Sequence, residues 1–206
     1  MMLGMPMPRI ETARLLLRQW QRRDVDDLFE YARQPDVGPN AAWLPHPSRQ
    51  HSLQVLMNVF MLEDAQWAIE YKDLRKVIGS ISLHRDAKRT TPNTRALGYS
   101  LSHDFWGQGL MSEAAPAVIA YGFEHMRLDL ISCYHFEGND RSRRVIEKCG
   151  FTFEGMLRHC SCVGESMIHH DYCYSMTREE YFARQSPDNQ ATTRGVTKKT
   201  LMCKMW

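Results

Sequence analysis

Apolar and alternating runs recur along the chain, separated by polar turns and by amphipathic segments. The apolar and alternating runs predict strands near residues 14–19, 67–71, 77–83, 96–101, 130–135, 153–163 and 169–176. The remaining patterned segments predict helices at 24–33, 48–63, 112–126 and 139–149. The early strands are linked by hairpins and the later ones by crossovers, so the pattern predicts a mixed α/β (α+β) architecture.

Four residues predict where helices begin and end. Asp24 caps the first helix, with Asp27 completing a weak capping box, and Ser48 caps the second. Pro116 places the start of the third helix within residues 110–113, because a missing N–H costs least near a helix start. Gly150 ends the fourth helix.

Composition limits the classes of function. The chain has 206 residues, enough for one domain with a sizeable core, and its net charge of +2 is far below that of typical nucleic-acid binders. A basic loop (Arg85, Lys88, Arg89, Arg95) is better explained as a solvated surface or a contact to an adenosine 3′-phosphate. No apolar run approaches the ~18–20 residues that span a bilayer, and the start lacks a signal-peptide pattern. We therefore expect a cytoplasmic protein with no nucleic-acid or membrane partner.

The cysteines and histidines give little support for a metal site. Six cysteines are scattered along the chain, and free thiols are the default in a cytosolic protein. The cluster of His159, Cys160, Cys162, His169, His170 and Cys173 is the alternative, but its Cys-x-Cys spacing is unlike a structural zinc site. We expect no metal.

Residues 104–113, Asp-Phe-Trp-Gly-Gln-Gly-Leu-Met-Ser-Glu, lie between a predicted strand and a predicted helix. Gly107 and Gly109 can adopt backbone conformations closed to other residues. A turn of this kind leaves N–H groups unpaired at a helix N-terminus, where the helix dipole also favours negative charge. The segment therefore predicts a phosphate-binding turn.

A second motif, Asn139-Asp-Arg-Ser142 through Glu147-Lys-Cys-Gly150-Phe151, follows the strand at 130–135. With the phosphate turn, Gly98-Tyr99 and the starting run Ile10-Glu-Thr-Ala-Arg-Leu-Leu-Leu-Arg18, the chain resembles the Gcn5-related N-acetyltransferases (GNAT). Within them it is most similar to the branch of ribosomal-protein N-terminal amino acetyltransferases. The resemblance runs from about residue 9 to about residue 182, which defines one domain (9–182) and a tail (183–206).

The resemblance implies a fold and a cofactor. The implied fold is a central mixed, mostly antiparallel sheet that splays between its fourth and fifth strands, where the pantetheine arm of acetyl-CoA enters. The implied acetyl-CoA contacts are Ser100, Leu101, Trp106, Gly107, Gln108, Gly109, Leu110, Met111, Ser112, Asn139, Ser142 and Arg143. Met111 departs from the Gly or Ala usual at its position, so its side chain must point away from the phosphates.

The resemblance also implies catalytic residues. Asn139 contacts the pantetheine or the incoming amine, and Ser142 donates a proton to the departing thiolate; plain helix capping explains both equally simply. Many relatives carry a glutamate as general base where this chain has Ala96. Glu137 is the substitute we predict, with Glu113, Tyr99, His103 and His135 as further candidates.

The function implied is acetyl transfer from acetyl-CoA to a primary amine by direct attack, without a cysteine nucleophile. The acceptor is a protein or peptide N-terminus, or a small amine whose pocket should hold acidic residues such as Asp36, Glu63 or Asp64. Trp43 and Trp67 could line the acceptor groove, although core packing explains them as well.

The alternative function is a non-catalytic acyl-CoA-binding regulatory domain, which Ala96 favours. Dimers are common in this family, so a homodimer is an open alternative, and Leu201, Met202 and Trp206 of the tail could contact a second subunit.

Overall fold

The computed structural model describes residues 7–185, so the proposed tail contacts lie outside the described residues. Eight strands form one sheet, in the order β1-β2-β3-β4-β5-β6-β8-β7. The strands are β1 Ile10–Glu11, β2 Leu15–Gln19, β3 Gln66–Tyr71, β4 Lys76–Arg85, β5 Thr94–Leu101, β6 Leu130–Phe136, β7 Thr152–Val163 and β8 Met167–Thr177. The helices are α1 Val25–Ala32, α2 Arg49–Val55 with a π-helical turn Leu56–Phe60, α3 Leu110–Glu124, α4 Asp140–Cys149 and α5 Arg178–Gln185.

The sheet is mixed because one neighbouring pair, β5 and β6, runs parallel. Their pairing begins at Thr94 with Leu130 and stops at Leu97 with Cys133, although both strands continue beyond it. Beyond this point residues 98–101 and 134–136 no longer pair with each other, although they stay paired with β4 and β8, and a gap opens between them. The short β1 is not among the predicted strands, so the predicted fourth and fifth strands are β5 and β6. The predicted mixed, splayed sheet is confirmed.

Helices cover both faces of the sheet and bury two apolar clusters. On one face α3 contributes a run of buried residues that pack against β2, β4 and β6: Leu110, Met111, Ala114, Ala115, Val118, Ile119 and Phe123. On the other face α1 and the turn after α2 pack on β3 and β4 around Trp20, Leu28, Tyr31 and Leu56. Trp67 is fully buried and its indole donates to the Pro8 carbonyl at 2.9 Å. Trp67 is therefore a core residue.

The predicted capping box of α1 is wrong, whereas the Ser48 cap is correct. Asp24 does not cap α1, because it ends a 3-10 turn (Arg22–Asp24) whose capping box it completes by accepting from the Gln21 amide at 2.8 Å, while the buried Arg18 guanidinium also donates to its carboxylate at 2.8 and 2.9 Å. Asp27 instead accepts from the Val77 amide at 2.8 Å. Ser48 accepts from the His51 amide at 3.1 Å and begins α2 as predicted.

The predicted start of α3 within residues 110–113 is confirmed, but Pro116 lies farther from that start than expected. Helix α3 begins at Leu110, so Pro116 lies inside the helix, beyond its first turn. A proline there removes the N–H that would bond to the Ser112 carbonyl. Gly109 explains the early start, because its left-handed backbone (φ 74°) turns the chain directly into the helix.

A buried histidine before α2 makes the fold sensitive to acid. Burial and, to a smaller extent, the neighbouring His51 together lower the pKa of His46 to about 4, and its Nδ1 lies 2.7 Å from Ser52 Oγ. Its unfolded value is about 6.5, so the unfolded state binds more protons between these values and stability falls as pH drops through that window. We expect the free energy of unfolding to fall by about 2–3 kcal/mol from His46 alone. Urea unfolding near neutral pH and near pH 4 measures this fall in the free energy of unfolding. We expect the same fall in the unmodified protein and in H125Q, and a smaller one in H46Q.

Candidate active site

A cleft of about 450 Å³ lies at the gap between β5 and β6. The phosphate turn and the first turn of α3 form one wall, the end of β5 forms the floor, and α4 forms the other wall. Its lining residues are Val37, Asn40, Ala41, Tyr99, Ser100, Leu101, Phe105, Trp106, Gly107, Gly109, Leu110, Met111, Ser112, Asn139, Arg141, Ser142, Arg144, Val145 and Lys148. Most of the predicted contact residues are therefore brought together, whereas Gln108, Arg143 and Glu137 are not among those lining the cleft.

Both glycines of the turn have left-handed backbones. Their φ angles are 75° for Gly107 and 74° for Gly109. A Cβ added to Gly107 would meet nothing within 4 Å, and one added to Gly109 would meet only the Arg14 guanidinium at 3.9 Å. Because α3 begins at Leu110, the amides of its first turn have no intrahelical acceptor. The turn thus presents unpaired donors to an open space.

Contacts behind the turn fix its shape. Arg14 donates to the Gln108 carbonyl at 3.0 Å, and the Gln108 amide group donates to the Asp104 carbonyl at 3.0 Å. Glu113 accepts from Thr12 Oγ1 at 2.6 Å and from the Arg14 backbone and guanidinium, both at 2.7 Å. Burial by itself would raise the pKa of Glu113, but these hydrogen bonds outweigh it and the pKa is lowered. Glu113 therefore holds the turn in place and is poorly suited to accept a proton.

A stack of three side chains spans the outer part of the cleft. The Trp106 indole donates to the Leu101 carbonyl at 2.8 Å, its ring stacks on His103 at 4.4 Å, and the Arg141 guanidinium lies 4.2 Å from the ring centroid. His103 is in turn paired with Asp36. Trp106 therefore joins the phosphate turn to the first turn of α4. His103 is occupied by this packing and by its carboxylate partner.

Asn139 and Ser142, at the start of α4, both line the cleft. The side-chain oxygen Oδ1 of Asn139 accepts from the Ser142 amide at 3.1 Å and caps α4. The Ser142 hydroxyl lies 2.8 Å from the Tyr99 hydroxyl, which is also 3.2 Å from the Ser142 carbonyl. Burial raises the pKa of Tyr99 well above its ordinary value, with a smaller opposing effect from the Ser142 hydrogen bond. Tyr99 therefore stays protonated at neutral pH and can donate.

Two other predicted candidates lie away from the cleft lining. Glu137 is exposed, and its amide donates to the His170 carbonyl at 3.0 Å. His135 is buried, with Nδ1 2.8 Å from the Phe136 carbonyl and Nε2 3.3 Å from the Tyr174 hydroxyl. The role of Glu137 stays a prediction, and His135 is held by packing.

The electrostatics of the cleft were missed by the sequence reasoning. Arg141, Arg144 and Lys148 all line it from α4, and the lining residues include no carboxylate. Their spacing of three and four residues places them on one helical face, and this spacing was the available signal. Arg143, the cation that was predicted, instead pairs with Asp140 at 3.2 Å.

Neither cysteine near the cleft is suited to act as a nucleophile. Burial raises the pKa of Cys133 far above its ordinary value and that of Cys149 to about 11. A thiol must be ionised to attack, so both are inert at neutral pH.

Within residues 7–185, no group of three or more His, Cys, Asp or Glu side chains is placed to hold a metal ion. In the same residues no helix is both long and apolar enough to cross a membrane.

Comparisons with known proteins agree on one family. A sequence model of the acetyltransferase (GNAT) domain matches residues 14–152. The Bacillus subtilis (strain 168) protein called uncharacterized N-acetyltransferase YoaA is 30% identical over 156 residues, which cover 73% of this chain and 86% of that protein. A GNAT-family acetyltransferase structure from Bacillus anthracis superposes with a TM-score of 0.74 at 24% identity, covering 84% of this chain and 100% of that chain. The structure of ribosomal-protein-S5-alanine acetyltransferase from Vibrio fischeri gives a TM-score of 0.70 at 21% identity, covering 84% of this chain and 98% of that one.

Proposed function

The chain belongs to the GNAT acetyltransferase family, and on this premise we propose that it transfers the acetyl group of acetyl-CoA to the α-amino group of a peptide or protein. The observation that carries the proposal is the cleft itself. In it a left-handed glycine turn, unpaired helix amides and three cations meet at the open end of a parallel strand pair. This combination suits an anionic ligand with a long narrow arm.

The residues present fit the parts of acetyl-CoA. The amides at the start of α3 would bind the pyrophosphate, with Gly107 and Gly109 allowing its close approach. Met111 is 7% exposed and belongs to the core cluster, so its bulkier side chain leaves the turn free. The pantetheine arm would lie in the gap beside residues 98–101, whose unpaired edge offers backbone donors and acceptors.

The surrounding side chains support direct attack by the amine on the thioester. The buried, protonated thiols offer no alternative nucleophile. A backbone N–H on the free edge of β5 would bind the thioester carbonyl oxygen, and one donor of this kind is typically worth about 10²–10³ in rate. Ser142 would protonate the leaving thiolate and recover its proton from Tyr99, 2.8 Å away, and Tyr99 would in turn regain a proton from water in the open cleft.

Charge in the cleft favours a peptide acceptor over a polyamine. Asp36, Glu63 and Asp64, the acidic residues expected around a small cationic amine, are not among the residues that line the cleft; Asp36 is paired with His103, and Asp64 with Arg95 at 2.8 Å. A peptide α-amino group has a pKa of about 8 and is already partly neutral at physiological pH, so it needs no acidic pocket. The fold shared with a ribosomal-protein-S5-alanine acetyltransferase adds support by analogy.

The test is to incubate the protein with acetyl-CoA and each member of a panel of acceptors. Turnover is monitored by the release of CoA, and acetylation of the acceptor is detected by mass spectrometry. We expect acetylation of short peptides that begin with alanine or serine, and none of the same peptides with a blocked N-terminus. Spermidine should be a much poorer acceptor because no carboxylate is among the residues that line the cleft to bind its ammonium groups. Preferential acetylation of spermidine would contradict the proposed acceptor. Binding of acetyl-CoA without acetylation of any acceptor would favour the non-catalytic regulatory domain.

A further inference from the structure

One histidine lies beside the point where β5 and β6 separate, next to the residues that line the cleft but not among them. His84 of β4 pairs in register with Ala96 of β5, and Ser82 pairs with Gly98. Residues at alternate positions share a face, so His84, Ser82, Ala96 and Gly98 all lie on one side of the sheet. That side is opposite to the one covered by α3.

The imidazole of His84 covers Gly98. A Cβ built on Gly98 would lie 2.7 Å from His84 Cε1 and 3.1 Å from its Nδ1. Gly98 is the first residue of β5 after the parallel pairing with β6 ends at Leu97. The ring therefore sits over the strand where the gap begins, and only a glycine at position 98 leaves room for it.

The hydrogen bonding of His84 leaves one ring nitrogen available. Nδ1 lies 3.2 Å from Ser82 Oγ, and within residues 7–185 no partner occurs within hydrogen-bond distance of Nε2. The side chain is exposed at its outer edge, so a proton taken up there can pass to water. Ser82 thus orients the ring without consuming both nitrogens.

The charges around His84 keep its imidazole neutral. Burial of the ring lowers its pKa below the ordinary value, although Asp86 and Glu63 act in the opposite direction. Arg95 and Lys88, the remaining charged groups that face it, lower the pKa further. At neutral pH the ring is therefore a free base rather than an imidazolium.

We propose that His84 is the general base of the transfer, accepting the proton of the acceptor amine at Nε2 directly or through one water. This inference rests on the proposed function. A C–N bond forms between the amine and the acetyl carbonyl carbon, and the C–S bond of the thioester breaks. The amine proton goes to His84 and then to solvent, while the thiolate takes its proton from Ser142. Many relatives carry a glutamate as general base at position 96, where this chain has Ala96. His84, which pairs with Ala96 from the neighbouring strand β4, would accept the proton instead.

The test compares H84Q with H125Q, a matched change of an exposed histidine at the end of α3. Glutamine can keep the contact to Ser82 but cannot accept a proton near neutral pH. With an alanine- or serine-initiated peptide as acceptor, kcat/KM is measured from about pH 5 to about pH 9. We expect H84Q to lose about 10²-fold or more at neutral pH and to lose the acidic limb that the imidazole adds below the pKa of the acceptor amine, which is about 8 and remains in both variants. Its affinity for acetyl-CoA, measured by calorimetry, should be unchanged.

Three results would overturn the assignment. H84Q could keep the rate of H125Q, it could keep the acidic limb, or it could lose acetyl-CoA binding, which would indicate a structural role. If the unmodified protein binds acetyl-CoA but acetylates no peptide, the proposed acceptor fails separately. The same variants are then compared in the slow hydrolysis of acetyl-CoA, where water replaces the amine and needs the same base. Equal hydrolysis by H84Q and H125Q would again overturn the role of His84.

Discussion

Replacing Gly109 by valine is expected to weaken acetyl-CoA binding by about 100-fold, because hydrogen bonds to charged groups contribute about 1.5–3 kcal/mol each and one or two would be lost. Gly109 has a φ of 74°, and a β-branched residue resists that conformation. The turn would have to rotate, which would move the first amides of α3 away from the phosphates. Calorimetric titration of G109V with acetyl-CoA measures the loss directly.

Gly164 provides the matched control for this experiment. It has a similar left-handed φ of 63° in the turn between β7 and β8, away from the cleft. A Cβ there would meet Leu44 at 3.2 Å, but that side chain is 51% exposed and can move. G164V should therefore suffer similar backbone strain and retain acetyl-CoA affinity. Equal losses in the two variants would mean that strain alone, and not the phosphate turn, explains the effect.

The variants S142A and Y99F are each expected to lower kcat by about 10²-fold, as is typical when a positioned proton donor is removed. The two hydroxyls lie 2.8 Å apart, and Tyr99 remains protonated because burial raises its pKa well above its ordinary value. If the proton passes from Tyr99 through Ser142 to the thiolate, removing both should cost little more than removing one. A double-mutant cycle on kcat, with the acceptor found in the panel, tests this expectation.

Two readouts separate this relay from a structural role. The Ser142 amide, which Asn139 caps, is untouched in S142A, so α4 and the free energy of unfolding should be preserved. Acetyl-CoA affinity should also be preserved, because the lost step follows binding. If the fold-losses in kcat of S142A and Y99F multiply in the double variant, a shared proton path is contradicted. It is also contradicted if either single variant retains full kcat.

Local features of the site could be predicted from the sequence because they depend on neighbouring residues. The phosphate turn follows from two glycines between a strand and a helix, and the Asn139 cap follows from its position before an amphipathic segment. The failures also have local causes. Asp24 has the residue type of a helix cap, but it completes the capping box of a 3-10 turn that precedes α1 and also binds the buried Arg18 guanidinium. Pro116 gave the correct start of α3, within residues 110–113, but it lies beyond the first turn, where its missing N–H removes an intrahelical hydrogen bond.

Contacts between distant segments could not be predicted in this way. Arg14 and Glu113 are 99 residues apart, and Tyr99 and Ser142 are 43 apart, yet both pairs shape the cleft. The register of β4 and β5, which places His84 opposite Ala96, is likewise invisible in a single sequence. Sequence reasoning therefore found the left-handed glycine turn, whereas the role of Glu137, an exposed residue, stays a prediction.

The most direct test of the account is a calorimetric titration of the unmodified protein with acetyl-CoA. We predict saturable binding of one acetyl-CoA per chain at micromolar concentrations, weakened by added salt because phosphates and the cations of α4 take part. No binding by the unmodified, folded protein would contradict the account.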